Sequence, residues 1–426
     1  MLIFVIPINY ATHFFRRPYE FGAGGLPFSP MDIILIVLYT IWLYELLIKK
    51  SGQFRFFPSI TIPILCLIGF CALSMIPAQD PYLALFEAVI IFKAFLLYIY
   101  LVNHIRNKRD ISFIVVLLLV GLSLQSILAF LQRWLGVSLG LQLFGERAEL
   151  LTFTLDYYLK TSRVGGTIGH PNGLAKYVEL LAPLALAFLF SGIKLRLKVA
   201  NCLIFACSIV VLLLTLSRGG WVCFAGSMVL FFMLIFRANL ISVKNLVAIA
   251  LMIVIFLGIG LSFSGLIQSR LFGDDYGAAQ GRIPLNKWAI NVIKAHPILG
   301  VGVRNYGKVM HLYNPNLEAH KANRVHNIYL LMAAEMGIPG LLVFLWFLYA
   351  IFRQGFRNLK GKDVFLVCLN IGILVGMATL LAHWLVDPGY IGRVGNFWVL
   401  TGLIAASGKM YGEEGLLQAE GAITDR

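Results

Sequence analysis

Long apolar runs recur from one end of this chain to the other, and nothing else constrains its fold as much. They fall at about 1–15, 31–48, 60–77, 83–105, 111–136, 172–192, 197–216, 219–236, 245–264, 326–352, 364–384 and 393–408. A helix needs roughly 17–25 residues to cross a bilayer. Most of these runs suffice, and they are too long and too uniform for the alternating strands of a barrel. In lipid, each segment must satisfy its own backbone donors and acceptors. The chain therefore reads as an all-α, polytopic bundle of about twelve membrane helices. Only 13% of its residues are charged, against roughly a quarter in soluble proteins, so no soluble domain is left between the spans. The first run, MLIFVIPINYATHFFRR, has neither a basic start nor a small-residue cleavage site and reads as a short, uncleaved first span.

The positive charges give the topology. Lys49, Lys50 and Arg55 follow the second run; Arg106, Lys108 and Arg109 the fourth; Lys194, Arg196 and Lys198 the sixth; Arg237 and Lys244 the eighth; Arg353, Arg357, Lys360 and Lys362 the tenth. Basic loops stay on the cytoplasmic side, which places both termini inside. The alternate loops face outward, at 16–30, 78–82, 137–171, 217–218, 264–325 and 385–392. Helices over 1–263 thus precede one large extracytoplasmic loop, 264–325. Further helices occupy 326–408, and a polar tail, 409–426, reads as disordered. The outer loops nevertheless hold Arg147, Lys160, Arg163, Arg218, Arg270, Arg282, Arg304, Lys308, Lys321 and Arg324. Cations kept on the translocated side suggest an anion to bind. The net charge of +15 therefore points to inside-positive loops plus an anion site. No basic stretch carries exposed aromatics outside the membrane, so nucleic acid is excluded as a partner. All six cysteines lie in apolar runs and read as small packing residues rather than disulfide or metal ligands.

Four outward features could carry chemistry. In RVGGTIGHPNGLAKY (163–177), closely spaced glycines lead into HPN where a span begins; this is either a turn-rich helix start or part of a site. LSRGGW (216–221) joins two spans almost without a loop. Arg218 there either snorkels to the surface or joins the helix N-terminus beside it to hold a phosphate. In 281–307, Pro284 to Lys294 has helical character with an apolar side, followed by HPILGVGVRNYG, and Arg282 precedes the helix. Finally, His326-Asn327 opens the tenth span, where an imidazole is either a structural cap or a base that titrates near neutral pH. The other loop histidines, His296, His311 and His320, match no ligand spacing, and Asp274-Asp275 alone is weak, so the reading is no metal and no cofactor. Glu87, Lys93, Glu179 and Glu335 lie within spans, where ionisable groups are expensive unless paired. No P-loop, GxSxG or HExxH occurs in a suitable context, so an enzyme of this kind must use a substrate carrying its own energy.

RxGGTxGHPN at 163–172, SRGGW at 217–221, GR…W…HPxLGxGxxNY at 281–306 and VHNxYLxxxxExGxPG at 325–340 occur in order around a large outer loop. Together they resemble the bacterial O-antigen ligase and Wzy-type O-antigen polymerase family of integral-membrane glycosyltransferases, over roughly residues 160–345. The resemblance implies a metal-independent, inverting transfer of a glycan from undecaprenyl pyrophosphate at the outer face of the bacterial cytoplasmic (inner) membrane. The acceptor is lipid A–core for a ligase in lipopolysaccharide assembly, or another lipid-linked repeat unit for an O-antigen or exopolysaccharide polymerase. It further implies that His326 acts as base on the acceptor hydroxyl and that Arg163, Arg218 and Arg282 hold the pyrophosphate, with Asn172, Asn327, Arg304 and Glu335 in support. Ligase is the leading expectation and polymerase the alternative within the family. A small-anion, bicarbonate-like transporter is the reading from another class, but no paired broken helices support it.

Overall fold

The structure is a computed structural model describing residues 11–19, 22–50, 54–147, 163–272, 281–313 and 325–424. Lys160, Asp274, Asp275, His320, Lys321 and Arg324 lie outside the described residues, as do residues 1–10 of the first apolar run.

Helices dominate. In order they are α1 (Pro30–Leu47), α2 (Pro58–Leu73), α3 (Pro81–His104), α4 (Lys108–Leu135), α5 (Pro171–Phe188), α6 (Leu195–Leu214), α7 (Arg218–Arg237), α8 (Val243–Ser262), α9 (Ser264–Phe272), α10 (Arg282–Ala295), α11 (Ile328–Asn358), α12 (Val364–His383) and α13 (Gly395–Thr424). Four of them, α1, α2, α3 and α5, start on a proline, whose fixed φ suits the first helical position and whose missing N–H costs nothing there. Among the described residues, seven helices are long and apolar enough to cross a membrane: α1, α3, α4, α6, α7, α11 and α12. The chain is an integral membrane protein of the all-α class. The last helix runs on through much of the stretch that the sequence assigns to a polar tail.

One expectation needs correcting. The apolar run at 1–15 does not continue as a helix, because Thr12–Tyr19 forms a strand (β1) paired antiparallel with Gly22–Phe28 (β2). GAGG and the prolines at 18 and 27 disfavour a helix here, and a hairpin satisfies backbone groups that a broken helix would strand. Lys93 Nζ reaches out of α3 to the hairpin, bonding Pro27 O at 2.8 Å and pairing with Asp32 at 3.0 Å.

The polar stretch 264–325 is partly helical. Helix α10, Arg282–Ala295, meets the expectation of a helix over Pro284–Lys294. The segment that follows docks into a break in α11. Gly337 interrupts that helix with φ 74° and ψ 176°, so carbonyls just before it are released from the ladder. Ala334 O accepts from Val301 N and Glu335 O from Gly302 N, both at 3.0 Å, while Ile338 N donates to Pro297 O at 2.8 Å. A Cβ at Gly337 would sit 2.2 Å from Ile298 O, so only glycine allows this approach. HPILGVG and EMGIPG are thus two halves of one backbone joint. Asn305 and Lys308 fix its far side, bonding Asp80 N from Asn305 Oδ1 at 2.7 Å and pairing with Asp80 Oδ2 at 3.2 Å.

Candidate active site

The candidate site lies where the N-terminal ends of α5, α7 and α11 meet the C-terminal end of α12. Each start has its own cap. His170 Nδ1 accepts from Asn172 N at 3.1 Å ahead of Pro171, so HPN is a helix start built from a cap and a proline. Ser217 Oγ accepts from Gly220 N. Asn327 Oδ1 accepts from Tyr329 N and Leu330 N at 2.9 and 3.1 Å. Asn327 is therefore the cap that fixes where α11 begins, immediately after His326. Ile328 N donates to Trp384 O at 2.9 Å and ties that start to the end of α12.

His326 lies beside a carboxylate. Its Nδ1 is 3.9 Å from Asp387 Oδ1, with the imidazole 37% exposed and the carboxylate 15%. The separation exceeds a hydrogen bond but is close enough for strong electrostatic coupling. Asp387 in turn pairs with Lys176 Nζ at 2.6 Å, one turn into α5. Burial alone would raise the Asp387 carboxyl. Lys176, with His383 and His170 behind it, outweighs burial and brings the carboxyl down to about 2. Asp387 is thus an anion at any physiological pH. His170 is held neutral: desolvation and the positive charges of Arg163, Lys176 and Arg147 outweigh the pull of Asp387 and push it down to about 4. Its acceptor role at the cap agrees with a neutral ring.

Arg163 and Asn172 come together. Arg163 Nη2 donates to Asn172 Oδ1 and Nε to Thr215 O, both at 2.8 Å. Thr215 lies just ahead of the SRGG turn, so one guanidinium bridges the starts of α5 and α7. The preceding glycines are held from α4. Gln132 Oε1 accepts from Gly165 N and Gly166 N at 3.2 and 2.9 Å, and Gln125 Oε1 accepts from Thr167 N at 3.1 Å. Gln125 and Gln132 are two turns apart on one helix face. Glu146 completes the support, accepting from Gln132 and from the amides of Leu139 and Leu141.

Arg218 is the first residue of α7, and the two glycines after it explain its position. A Cβ at Gly220 would meet Glu179 Oε1 at 2.5 Å, and one at Gly219 would meet Val386 Cγ2 at 2.8 Å and His383 Nε2 at 3.3 Å. The start of α7 therefore rests directly on a buried pair, Glu179 of α5 and His383 of α12. Both carboxylate oxygens stand 2.9 Å from His383 Nδ1, and the two side chains are 0 and 1% exposed. Arg270 Nε, from α9, bonds Leu216 O at 3.2 Å on the same turn.

Of the proposed residues, Arg163, Asn172, Arg218, His326 and Asn327 thus share one end of the bundle. Arg282 opens α10, half-buried, and makes no hydrogen bond or ion pair with the others among the described residues. Arg304 and Glu335 belong to a second buried group. Glu335 Oε1 accepts from Tyr390 OH at 3.1 Å, and Arg304 is 4% exposed within the joint at Gly302. Glu87 there pairs with Arg393 at 3.2 Å, so its partner is not Lys93. Sequence reasoning missed Lys176, His383, Asp387, Tyr390 and Arg393. Four of them lie at or beyond the end of α12, where a short outer loop gives no motif. A signal existed in Asp387 and Arg393, since charges flanking a short outer loop invite buried partners.

Among the described residues, no group of three or more histidine, cysteine or acidic side chains could hold a metal. The groups gathered here are cations, backbone amides and two imidazole–carboxylate contacts. No curated protein matches the chain. Residues 203–345, about a third of the chain, which include Arg218, Arg282, Arg304, His326, Asn327 and Glu335, match the family model described as O-antigen ligase.

Proposed function

We propose that this protein is a metal-independent, inverting glycosyltransferase that moves a glycan from undecaprenyl pyrophosphate to an acceptor hydroxyl at the outer face of the cytoplasmic membrane. Its role is that of an O-antigen ligase acting on lipid A–core in lipopolysaccharide assembly. One observation carries the reading: His326, beside an ionised Asp387, stands among helix starts that also hold Arg163 and Arg218. A helix start is electropositive, and a guanidinium adds fixed charge without protonation bookkeeping. Together they suit a pyrophosphate.

In this reading His326 takes the proton of the acceptor hydroxyl as its oxygen bonds to the anomeric carbon. The bond from that carbon to the phosphate oxygen breaks, and the pyrophosphate leaves with the electron pair. Arg163 and Arg218 offset its charge as it develops, with Arg282 delivered by the outer loop. Asp387 holds the imidazole and stabilises its cationic form. The donor's own phosphate linkage drives the step, so no nucleotide or metal is required. Arg304 and Glu335 support the joint that carries the loop.

The test is reconstitution of the purified protein with undecaprenyl-pyrophosphate glycan, with lipid A–core or without added acceptor. Transfer to lipid A–core, insensitive to EDTA and lost in His326→Ala and Arg218→Ala variants that still fold, is the expected result. A ladder of longer lipid-linked chains without acceptor would make the protein the family's polymerase. No transfer by wild type with verified substrates would overturn the reading.

A further inference from the structure

One cavity lies nowhere near His326. It lies at the opposite end of α11, about 350 Å³ in volume, lined by Tyr349, Phe352, Arg353, Phe356, Arg357 and Lys360. Arg353 and Arg357 are one turn apart on α11, Lys360 follows just past its end, and all three line the cavity. All three are exposed, and none forms an ion pair with a described residue. A neighbouring basic position behaves differently: Lys108 pairs with Asp363. The end of a helix carries roughly half a negative charge, which one cation would offset. Three leave a surplus.

The same face of α11 is apolar further in. Leu342, Leu345, Trp346 and Tyr349 are 58, 39, 45 and 63% exposed, spaced as i, i+3, i+4 and i+7. The stripe leads straight into the cationic cavity, whose walls include the Phe352 and Phe356 rings, 6.4 Å apart. An apolar stripe that ends in unpaired cations and aromatic walls matches a molecule with acyl chains and one anionic headgroup.

From this arrangement we infer that the cavity at the C-terminal end of α11 binds an anionic phospholipid. Its phosphate sits among Arg353, Arg357 and Lys360, and its chains lie along Leu342, Leu345 and Trp346. By the charge pattern of the loops this is the cytoplasmic leaflet, the face away from the proposed transfer. The inference does not depend on the glycosyltransferase reading.

Native mass spectrometry of the purified full chain, exchanged into mixed phosphatidylglycerol and phosphatidylcholine, reads the retained lipid directly. Wild type is expected to keep phosphatidylglycerol, and the R353Q/R357Q/K360Q variant to lose that preference by about tenfold or more, because it removes charge-assisted bonds to the phosphate. A control, K194Q/R196Q/K198Q, removes as many charges from another basic loop; these are screened from the bound headgroup, so the preference is expected to stay within about twofold of wild type. Phe356→Ala keeps every charge and is expected to weaken retention through the lost wall. Equal loss in the control and the site variant would overturn the inference, since the effect would then be general attraction. Retention of a polyprenyl phosphate in preference to phosphatidylglycerol, when both are offered, would also overturn it.

Discussion

Glu179 and His383 meet inside the helix bundle with both carboxylate oxygens 2.9 Å from one imidazole nitrogen, and the start of α7 rests on them through Gly219 and Gly220. This contact couples α5 and α12 to the turn that presents Arg218. Replacing Glu179 by Ala leaves a buried imidazole without its acceptor and is expected to cost about 3–5 kcal/mol. Glu179→Gln keeps one acceptor and is expected to cost about 1–2 kcal/mol. Thermal unfolding in detergent measures both; equal losses would mean that the hydrogen bond is not what the pair contributes.

Asp387 gives a pH prediction. Its carboxyl is lowered from 3.8 to about 2 in the folded chain. A carboxyl depressed by folding contributes stability that is complete above its unfolded value and is lost as pH falls through the folded one. The shift amounts to about 2 kcal/mol. Wild type should therefore exceed Asp387→Asn by about that amount at pH 6, and the gap should close between about pH 4 and pH 2. A gap that persists at pH 2 would assign the contribution to packing rather than charge.

The same variant bears on transfer. Asp387 is ionised throughout the neutral and mildly acidic range, so its own titration contributes nothing to a rate profile there. Removing an anion 3.9 Å from His326 favours the neutral imidazole. The acid limb for Asp387→Asn should move to lower pH while the maximal rate falls by about tenfold to a thousandfold. An unmoved limb would separate Asp387 from the base.

Gly337→Ala tests the joint. The residue occupies a conformation open in practice only to glycine, and the added methyl would face the Ile298 carbonyl. A loss of at least about 3 kcal/mol is expected, with faster hydrogen exchange at Val301 and Gly302, whose amides cross the joint. Unchanged protection at those amides would show that the loop is held elsewhere.

Gln132→Ala is expected to cost about 1–3 kcal/mol, because it strips the buried amides of Gly165 and Gly166 of their shared acceptor. Gln132→Glu, which keeps the acceptor but brings a charge beside Glu146, should do no better. A melting temperature within error of wild type for Gln132→Ala would leave the glycine turn to be held by Gln125 alone.

Much of this was legible in the sequence because membrane helices announce themselves. Apolar runs of sufficient length have few alternatives in lipid, and the starts of α3, α5 and α7 fall within a residue or two of the runs that predict them. His326, Arg163 and Arg218 stood out because cations and an imidazole on the outer side of a membrane protein need a reason. What was not legible depends on contacts between distant segments. Lys176 and Asp387 are ordinary residues until the fold brings them to 2.6 Å, and the glycines of HPILGVG look like loop glycines until α11 breaks to receive them. Residues 12–15, at the end of the first apolar run, misled because hydropathy does not weigh the glycines and prolines just after them that turn 12–28 into a hairpin.

The short connection between α12 and α13 carries Asp387, Tyr390 and Arg393 at intervals of three, and each reaches a different helix: Lys176 of α5, Glu335 of α11 and Glu87 of α3. These partners belong to α3, α5 and α11, and the connection emerges from the ribosome after all three. The order of biogenesis follows from that. The earlier helices can insert and associate, but their buried charges meet these counterparts only when the connection after α12 arrives. A chain that stops before residue 384 would possess every helix up to α12 and still be electrostatically unfinished, a natural substrate for membrane quality control.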